Sequence, residues 1–364
     1  MQSHNQSLWY IDWISVVLTL CIASIGLLFV YSATHTPEQS FSLFFKKQAV
    51  GLLAGLIIYI IISLSDYRSL MQWGYFIYFF VIGLLLFTLI KGSIGMGAQR
   101  WINLSIFKLQ PSELAKLFFP AFVSYYFYSH HETRYGSWRD FVPVIVFLFI
   151  SVFLIRKQPD LGTALIILFS GLILLWLAGL SKKFFMYGFL IVVITAPASW
   201  HFLKPYQRAR ITVFLGGGTT QKERYQIEQA TIAIGSGGLL GKGFTHGTQN
   251  KLQFLPESRT DFIFAVLCEE WGFFGAFLVI ILYAALFINL LLNISMIKEP
   301  HIQLLAVGLI IHLILSTIIN ICMVTGLLPI VGIPLPLMSY GLSNLFISFA
   351  SLGWLQSIYL HNVA

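Results

Sequence analysis

Charged side chains are scarce in this chain of 364 residues, since Asp, Glu, Lys and Arg together make up only 10% of it. Soluble domains carry about 25% charged residues. The shortage therefore excludes an ordinary soluble enzyme, a disordered chain and a nucleic-acid-binding protein. Hydrophobic residues make up 57% of the chain and the mean hydropathy is +0.82, which predicts an integral membrane protein.

Cysteine is also rare, and Cys21, Cys268 and Cys322 all lie inside apolar runs. Such positions are typical of buried small hydrophobic residues, and they argue against a disulfide framework, a metal site and redox chemistry. The N-terminus lacks the basic region and the small-residue cleavage site of a signal peptide. The first apolar run is therefore predicted to be a retained helix.

The apolar runs are continuous and the chain holds 33 Phe, 16 Tyr and 9 Trp, which argues against a β-barrel with a polar lumen. A helix needs about 20 residues to cross the hydrocarbon core. Ten runs approach this length, near 12–33, 48–64, 73–90, 111–129, 141–155, 161–179, 184–202, 262–293, 302–324 and 343–361. We therefore predict an all-α membrane protein in which residues 1–364 form a single polytopic domain. An even number of spans puts both termini on one side.

One connection is long, residues 203–260 between the seventh and eighth predicted helices, and it holds eight of the 22 basic residues. Within it, residues 225–234 are predicted to form an amphipathic interfacial helix with an apolar set of Ile227, Ala230, Ile232 and Ile234. The short loops hold six Lys and Arg on the side of the termini and seven on the other. This balance does not orient the chain by the positive-inside rule.

Three predicted helices that begin on the face opposite the termini open with a carboxylate: Glu113, Asp160 and Asp261. An ionisable group at membrane depth is costly, and it usually lines a cavity or pairs with another charge. Acids are also ordinary residues at the start of a helix. Helix initiation by Asp160 and N-capping by Asp261 therefore stay open beside a functional role.

Further charges lie inside the predicted helices. Glu113 and Lys116 are three residues apart and are predicted to form an ion pair. Glu269 and Glu270 follow Asp261 at a depth of about 12 Å along a helix. At least one of these two glutamates is expected to face a polar cavity or a partner such as Lys116.

The glycine-rich stretch at 235–245 resembles a phosphate loop only superficially. The P-loop signature is broken by Ser236 and Gly243, and the dinucleotide fingerprint is broken by Leu240. Nucleotide binding is therefore not supported. Two interpretations stay open, a flexible loop and a set of glycine amides that approach an anion together with Lys242.

Six motifs occur in order along the chain: GAQRWINL at 97–104, QPSELAK at 110–116, QPDLGTA at 158–164, AIGSGGLLGKGFTHGTQ at 233–249, LPESRTDFIFAVLCEEWG at 255–272 and GLLPIVGIPLPLMSYG at 326–341. Together they resemble the SEDS family (shape, elongation, division and sporulation), and its RodA branch more than its FtsW branch. The resemblance extends over nearly the whole chain. It implies ten helices in the bacterial cytoplasmic (inner) membrane, with cytoplasmic termini and an extracytoplasmic active face.

The resemblance also implies an activity, that of a peptidoglycan glycosyltransferase which polymerises lipid II during cell elongation and maintains rod shape. Its expected partners are lipid II (the undecaprenyl-diphosphate-linked disaccharide peptide), a class B penicillin-binding protein transpeptidase and membrane lipids, with no nucleic acid. The chemistry needs a base for the acceptor hydroxyl and cations for the leaving diphosphate. It needs no nucleotide cofactor, and a divalent cation that bridges the diphosphate stays open.

By the same resemblance, Asp261 matches the family's essential aspartate and is expected to be the general base that acts on the acceptor 4-hydroxyl. The residues expected to line the cavity or bind substrate are Glu113, Lys116, Arg100, Trp101, Asp160, Arg208, Arg210, Lys242, Glu257 and Glu270. Two alternative functions stay open: a transporter of a lipid-linked sugar, for which buried charges would form a pathway, and a non-catalytic scaffold of a synthesis complex.

Four residues depart from the family pattern: Ser105, Arg259, Leu342 and Asn344. Leu342 replaces a Gly, and it puts in doubt the backbone of the turn at 339–344. Arg259 stands where His is frequent, and it puts in doubt the charge beside Asp261. None of the four removes a carboxylate.

Overall fold

The structure is a computed structural model that describes residues 11–35, 41–95, 98–103, 108–130, 138–199, 201, 203, 205–217, 221–252 and 254–363. Its helices are α1 Trp13–Thr34, α2 Leu43–Leu64, α3 Tyr67–Lys91, α4 Pro111–Ser129, α5 Val142–Lys157, α6 Leu161–Leu177, α7 Lys182–Ser199, α8 Pro205–Phe214, α9 Gln221–Gly237, α10 Thr248–Lys251, α11 Ile263–Ser295, α12 Pro300–Val324 and α13 Leu342–Val363. The ten predicted apolar runs coincide with α1 to α7 and α11 to α13. The all-α membrane fold is therefore confirmed.

Length and composition define the strongest membrane spans. Among the described residues, six helical segments are long and apolar enough to cross a membrane: α1, α2, α3, α5 with the 3-10 turn before it, α11 and α12. α6 is apolar and shorter. These helices make the chain a multi-pass membrane protein, while the count of ten spans stays a prediction.

Side-chain caps start the first three helices. Asp12, Ser42 and Asp66 each accept a hydrogen bond from a backbone N–H in the first turn of α1, α2 and α3. Such caps satisfy amides that have no partner within the helix. The cap at Asp66 allows α3 to begin at Tyr67, directly after the short connection that follows Leu64 of α2.

A small antiparallel sheet joins α3 to α4, and the sequence analysis did not predict it. Its strands are β1 Ser93–Gly95, β2 Ala98–Asn103 and β3 Lys108–Leu109, in that spatial order. β2 has the sequence AQRWIN, which shows no strict alternation of polar and apolar residues and therefore gave no strand signal. The sheet is important because β2 carries Arg100 and Trp101.

Two hydrophobic cores hold the bundle together. One contains buried residues of α1, α9, α11, α12 and α13, and the other contains residues of α3, α4, α5 and α6. α4 contributes to both, through Leu117 to the first and Phe119 to the second. The helix that starts with the Glu113 motif therefore lies between the two cores.

The predicted helix at 225–234 forms the middle of α9. Ala230 and Ala233 are buried in the core shared with α11, whereas Ile232 is 48% exposed. The helix itself is therefore confirmed, and its interfacial position stays a prediction. α9 presents small residues to the protein, because a close helix contact leaves no room for large ones.

The cysteines are free thiols, as their positions inside apolar runs predicted. Cys268 is buried, Cys322 is partly buried and Cys21 is exposed on α1. The expected burial is therefore correct for Cys268 and wrong for Cys21, which occupies an outer helix face.

The contact between α2 and α13 gives a direct test of this packing. A Cβ at Gly353 would lie 2.7 Å from the carbonyl oxygen of Tyr59, so the two helices would have to separate. We expect Gly353→Ala to lower the free energy of unfolding by about 1–3 kcal/mol, as overpacking usually does. Thermal unfolding of the purified variant in detergent measures the effect.

Gly83→Ala is the matched control, because a Cβ at that position of α3 meets no atom within 4 Å. It should be neutral or slightly stabilising, since Ala favours a helix over Gly. Equal melting temperatures for the two variants would contradict the close α2–α13 contact.

Candidate active site

The beginnings of α4, α6 and α11 meet at one polar cavity of about 580 Å³, together with β2, α8 and α9. Its walls include Glu113, Asp160 and Asp261, the three carboxylates that the sequence predicted on a common face. That part of the prediction is confirmed. Four more of the predicted site residues line the same cavity: Arg100, Trp101, Arg210 and Glu257.

Asp261 lies in the turn that precedes α11. The N-cap of α11 is Phe262, and no side chain caps this helix end, so the N-capping interpretation of Asp261 is wrong. Among the residues that the structure describes, none donates a hydrogen bond to its carboxylate. Its backbone carbonyl is held by the amide of Asn320, which donates to it at 2.9 Å and to the carbonyl of Ile333 at 2.7 Å.

The environment of Asp261 makes its carboxylate a stronger base than an ordinary aspartate. Its pKa is raised from 3.8 to about 6, chiefly by loss of solvation and then by the charge of the neighbouring Glu257. Arg100 and Arg210 lower the pKa and oppose that rise, and Asp160 adds to it. Asp261 is therefore ionised at neutral pH and ready to accept a proton.

Asp160 serves both as a helix cap and as part of the cavity. One of its oxygens accepts the backbone N–H of Thr163 at 3.3 Å, which starts α6 as the sequence allowed. The other oxygen accepts Gln110 Nε2 at 2.7 Å, and Arg100 Nη1 lies 3.6 Å from the carboxylate. Asp160 therefore fixes Arg100, which also lies over the ring of Trp101 at 5.8 Å.

The predicted ion pair between Glu113 and Lys116 is confirmed. Lys116 Nζ lies 2.7 Å from Glu113 Oε2, and both side chains are almost completely buried. Asn344 donates to the same oxygen at 3.2 Å. Glu113 lines the cavity, while Lys116 lies behind it and balances its charge.

The expected partner of the glutamate pair on α11 is corrected by the structure. Glu269 pairs with Lys242 at 2.7 Å and not with Lys116. Glu270 accepts the Ser32 hydroxyl at 2.5 Å and the backbone N–H of Thr245 at 3.0 Å. Both glutamates are buried, and their partners come from segments distant in sequence.

Four predicted site residues do not line the cavity: Lys242, Glu270, Arg208 and Lys116. Lys242 is engaged by Glu269, so it is not the free cation of an anion-binding glycine loop. Arg208 Nη2 donates to the carbonyl of His201 at 2.6 Å. Lys116 lies behind Glu113, with which it forms an ion pair.

Several residues of the site were missed by sequence reasoning. Gln110 and Asn320 hold Asp160 and Asp261, and Ser339 Oγ donates to the carbonyl of Thr260 at 2.5 Å. Gln110 and Ser339 lie in two of the six motifs, and Asn320 is a polar residue within an apolar helix, which are the signals that could have found them.

The three described residues that depart from the family pattern each contact a neighbouring side chain or helix. Leu342 packs onto Gly51 of α2, Asn344 gains its contact with Glu113, and the guanidinium of Arg259 lies 4.0 Å from the centre of the Phe44 ring. Arg259 is thus held on an aromatic face of α2. Ser105 lies outside the described residues.

Fold and cavity together define a class: multi-pass membrane proteins whose helix starts form a polar cavity that combines a basic carboxylate with guanidinium groups. Comparison with known sequences specifies the family within that class. The family model for FtsW, RodA and SpoVE, described as cell cycle protein, matches residues 12–363. The chain belongs to this family.

Individual relatives agree with this assignment. The chain is 36% identical over 361 residues to the peptidoglycan glycosyltransferase MrdB of Escherichia coli K12, covering 97% of this chain and 94% of that protein. It is similar to a solved structure described as "Structural coordination of polymerization and crosslinking by a peptidoglycan synthase complex", with TM-score 0.82, 28% identity and coverage of 97% and 98%. It is also similar to the crystal structure of the Thermus thermophilus rod shape determining protein RodA, with TM-score 0.72, 25% identity and coverage of 97% and 98%.

The raised pKa of Asp261 predicts a gain in stability when its charge is removed. Because the folded state raises the pKa from 3.8 to about 6, the contribution of this group to stability is complete below pH 3.8 and is lost as the pH rises through about 6. We expect Asp261→Asn to unfold at a higher temperature than wild type near pH 7.5. The difference should shrink towards pH 4, and thermal unfolding at both pH values measures it.

Glu228→Gln provides the control, since Glu228 is an exposed side chain of α9. It should change stability little at either pH. If Asp261→Asn matches wild type at both pH values, burial does not penalise the Asp261 carboxylate.

Proposed function

We propose that this chain polymerises lipid II into glycan strands and is a peptidoglycan glycosyltransferase. One observation carries the proposal. The Asp261 carboxylate accepts no hydrogen bond from the described residues, and it lines a cavity that Arg100 and Arg210 also line. This is the combination that the reaction needs, a base beside cations. The name of the Escherichia coli relative supports the same activity.

In the proposed reaction, Asp261 removes the proton of the acceptor 4-hydroxyl as that oxygen attacks the anomeric carbon of the donor sugar. The bond from this carbon to the diphosphate breaks, and the undecaprenyl diphosphate leaves with the electron pair. A pKa near 6 keeps the carboxylate ionised at neutral pH while it remains basic enough to accept the proton. Arg100 and Arg210 stabilise the negative charge that develops on the diphosphate.

The buried charges around the cavity keep these groups in position. Asp160 and the ring of Trp101 orient Arg100, and Glu113 lines the same cavity with its charge balanced by Lys116. Preorganised charges need little rearrangement as the reaction proceeds. Trp101 also offers an aromatic face to a sugar ring at the cavity wall.

The proposed setting is the bacterial inner membrane, with cytoplasmic termini and the cavity on the extracytoplasmic side. The proposed partner is a class B penicillin-binding protein that crosslinks the product. The structural similarity to a peptidoglycan synthase complex that coordinates polymerisation and crosslinking supports this partnership. The names of the relatives favour a polymerase over a transporter or a non-catalytic scaffold.

Substitution of the proposed base tests the activity. We expect Asp261→Asn to lower lipid II polymerisation by about 10²–10⁴-fold, because the acceptor hydroxyl loses its base. The wild-type rate should fall as the pH drops through about 6, where Asp261 becomes protonated. Glycan strands made by the purified chain with its partner protein, in detergent and without nucleotide, are the measurement.

Glu228→Gln again serves as the control and should retain wild-type activity. Equal amounts of folded protein are compared, so that loss of activity is not loss of protein. Full activity of Asp261→Asn would overturn the assignment of the base. Absence of product from wild type, with the partner bound, would overturn the proposed function itself.

A further inference from the structure

The long helix α11 is broken at Gly272, whose φ of 64° and ψ of −160° are not helical. In a continuous helix the amides of residues 273 and 274 would bond to the carbonyls of residues 269 and 270. A segment that we call the docking loop, residues 238–249, replaces these bonds. Four backbone–backbone hydrogen bonds join it to α11: Lys242 N to Glu269 O at 3.0 Å, Gly243 N to Glu270 O at 3.0 Å, Phe273 N to Gly238 O at 2.9 Å and Phe274 N to Leu239 O at 3.2 Å.

Glycines allow this close approach of two backbones. A Cβ at Gly241 would collide with the carbonyl of Glu270, and a Cβ at Gly237 would collide with that of Cys268. Gly241 also has a φ of 78°, which disfavours other residues. The glycine-rich motif thus has a structural function at α11, one that neither a phosphate loop nor a flexible loop describes.

One ion pair, between the buried Glu269 and the partly exposed Lys242, fixes the loop at a single position along α11. Glu269 is completely buried, and its Oε1 accepts Lys242 Nζ at 2.7 Å. The same oxygen accepts the backbone amides of Thr248 at 2.8 Å and Gln249 at 3.1 Å. A shift of the loop by one residue would leave a buried carboxylate without its donors, which is strongly unfavourable.

The position of the loop determines the position of the helix before it. α9 ends at Gly237 against Cys268, and Ala230 and Ala233 pack in the core shared with α11. The other end of α9 brings Gln226 to the wall of the cavity, and α8 brings Arg210 to it. The axial register between α9 and α11 therefore sets where these two side chains stand relative to Asp261.

We infer that Glu269 and Lys242 are positioning residues, whose ion pair locks the register of α9 on α11 and so holds Arg210 at the cavity that Asp261 lines. This inference rests on the proposed function. It assigns to the glycine-rich loop a role in the reaction without any contact with substrate.

The main test variant replaces both charges, as Lys242→Met with Glu269→Gln, so that no unpaired charge is left in the core. We expect kcat/KM for lipid II to fall about 10- to 100-fold, as small misplacements of catalytic groups do. The acid limb of the pH profile is the range in which activity falls as Asp261 becomes protonated. It should move to higher pH, because a displaced Arg210 lowers the pKa of Asp261 less than Arg210 does in the wild type.

The pH profile separates positioning from stability. The groups that act on Asp261 are Glu257, Arg100, Arg210 and Asp160, and only Arg210 lies on the helices that the docking loop holds. Arg210→Gln should therefore move the acid limb in the same direction as the double variant. The single variant Lys242→Arg keeps the charge, and its acid limb should stay at the wild-type pH.

Arg224→Gln is the matched control, because it breaks an exposed ion pair within α9, the one between Arg224 and Glu228 at 2.7 Å. It should leave both kcat/KM and the pH profile unchanged. An unmoved acid limb in the double variant, at equal folded amounts, would overturn the inference even if activity fell.

Hydrogen exchange of the α9 amides gives a second readout that needs no activity. The double variant should exchange faster than wild type over residues 224–234, and Arg224→Gln should not. Unchanged exchange would overturn the register lock. If wild type makes no glycan, the proposed function fails, while faster exchange in the double variant would still support the lock.

Discussion

The cost of keeping an ionised side chain away from water governs where the charges of this bundle lie. Glu113 is balanced by Lys116 at 2.7 Å, inside the bundle. Glu269 is balanced by Lys242 at the same distance, at the break of α11. Asp261 differs from both glutamates, because no described side chain is bonded to its carboxylate. Glu113 and Glu269 are each neutralised by a lysine, whereas Asp261 stands at the cavity in a state suited to accept a proton.

The pairing also explains how the cavity is assembled from distant parts of the chain. Asp160 begins α6 and holds Arg100, which comes from the sheet between α3 and α4. Asn320 of α12 holds the backbone of Asp261 at the start of α11. Each contact satisfies a polar group that would otherwise be costly to bury. The same contacts bring a carboxylate and guanidinium groups to one wall, which is the arrangement that glycosyl transfer from a lipid diphosphate requires.

Local signals predicted the helices and the acidic face. Continuous apolar runs predicted the membrane helices, and acids at three helix starts predicted that Glu113, Asp160 and Asp261 share a face. The partners of Glu269 and Glu270 could not be predicted, because they come from the docking loop and from Ser32 of α1, which only the folded structure brings to α11. The exposure of Ile232 likewise depends on how α9 packs, and the short strand that carries Arg100 has no alternation of polar and apolar residues that would reveal it.

Titration of Asp261 itself tests the central claim most directly. The carboxyl stretch in the infrared spectrum of the purified protein, identified by its absence in Asp261→Asn, reports the protonation of this single group. The account predicts a midpoint at about pH 6, displaced upward when Arg210 is replaced by Gln. A carboxyl that stays protonated at neutral pH and above would contradict the account, because it could not accept a proton from the acceptor hydroxyl.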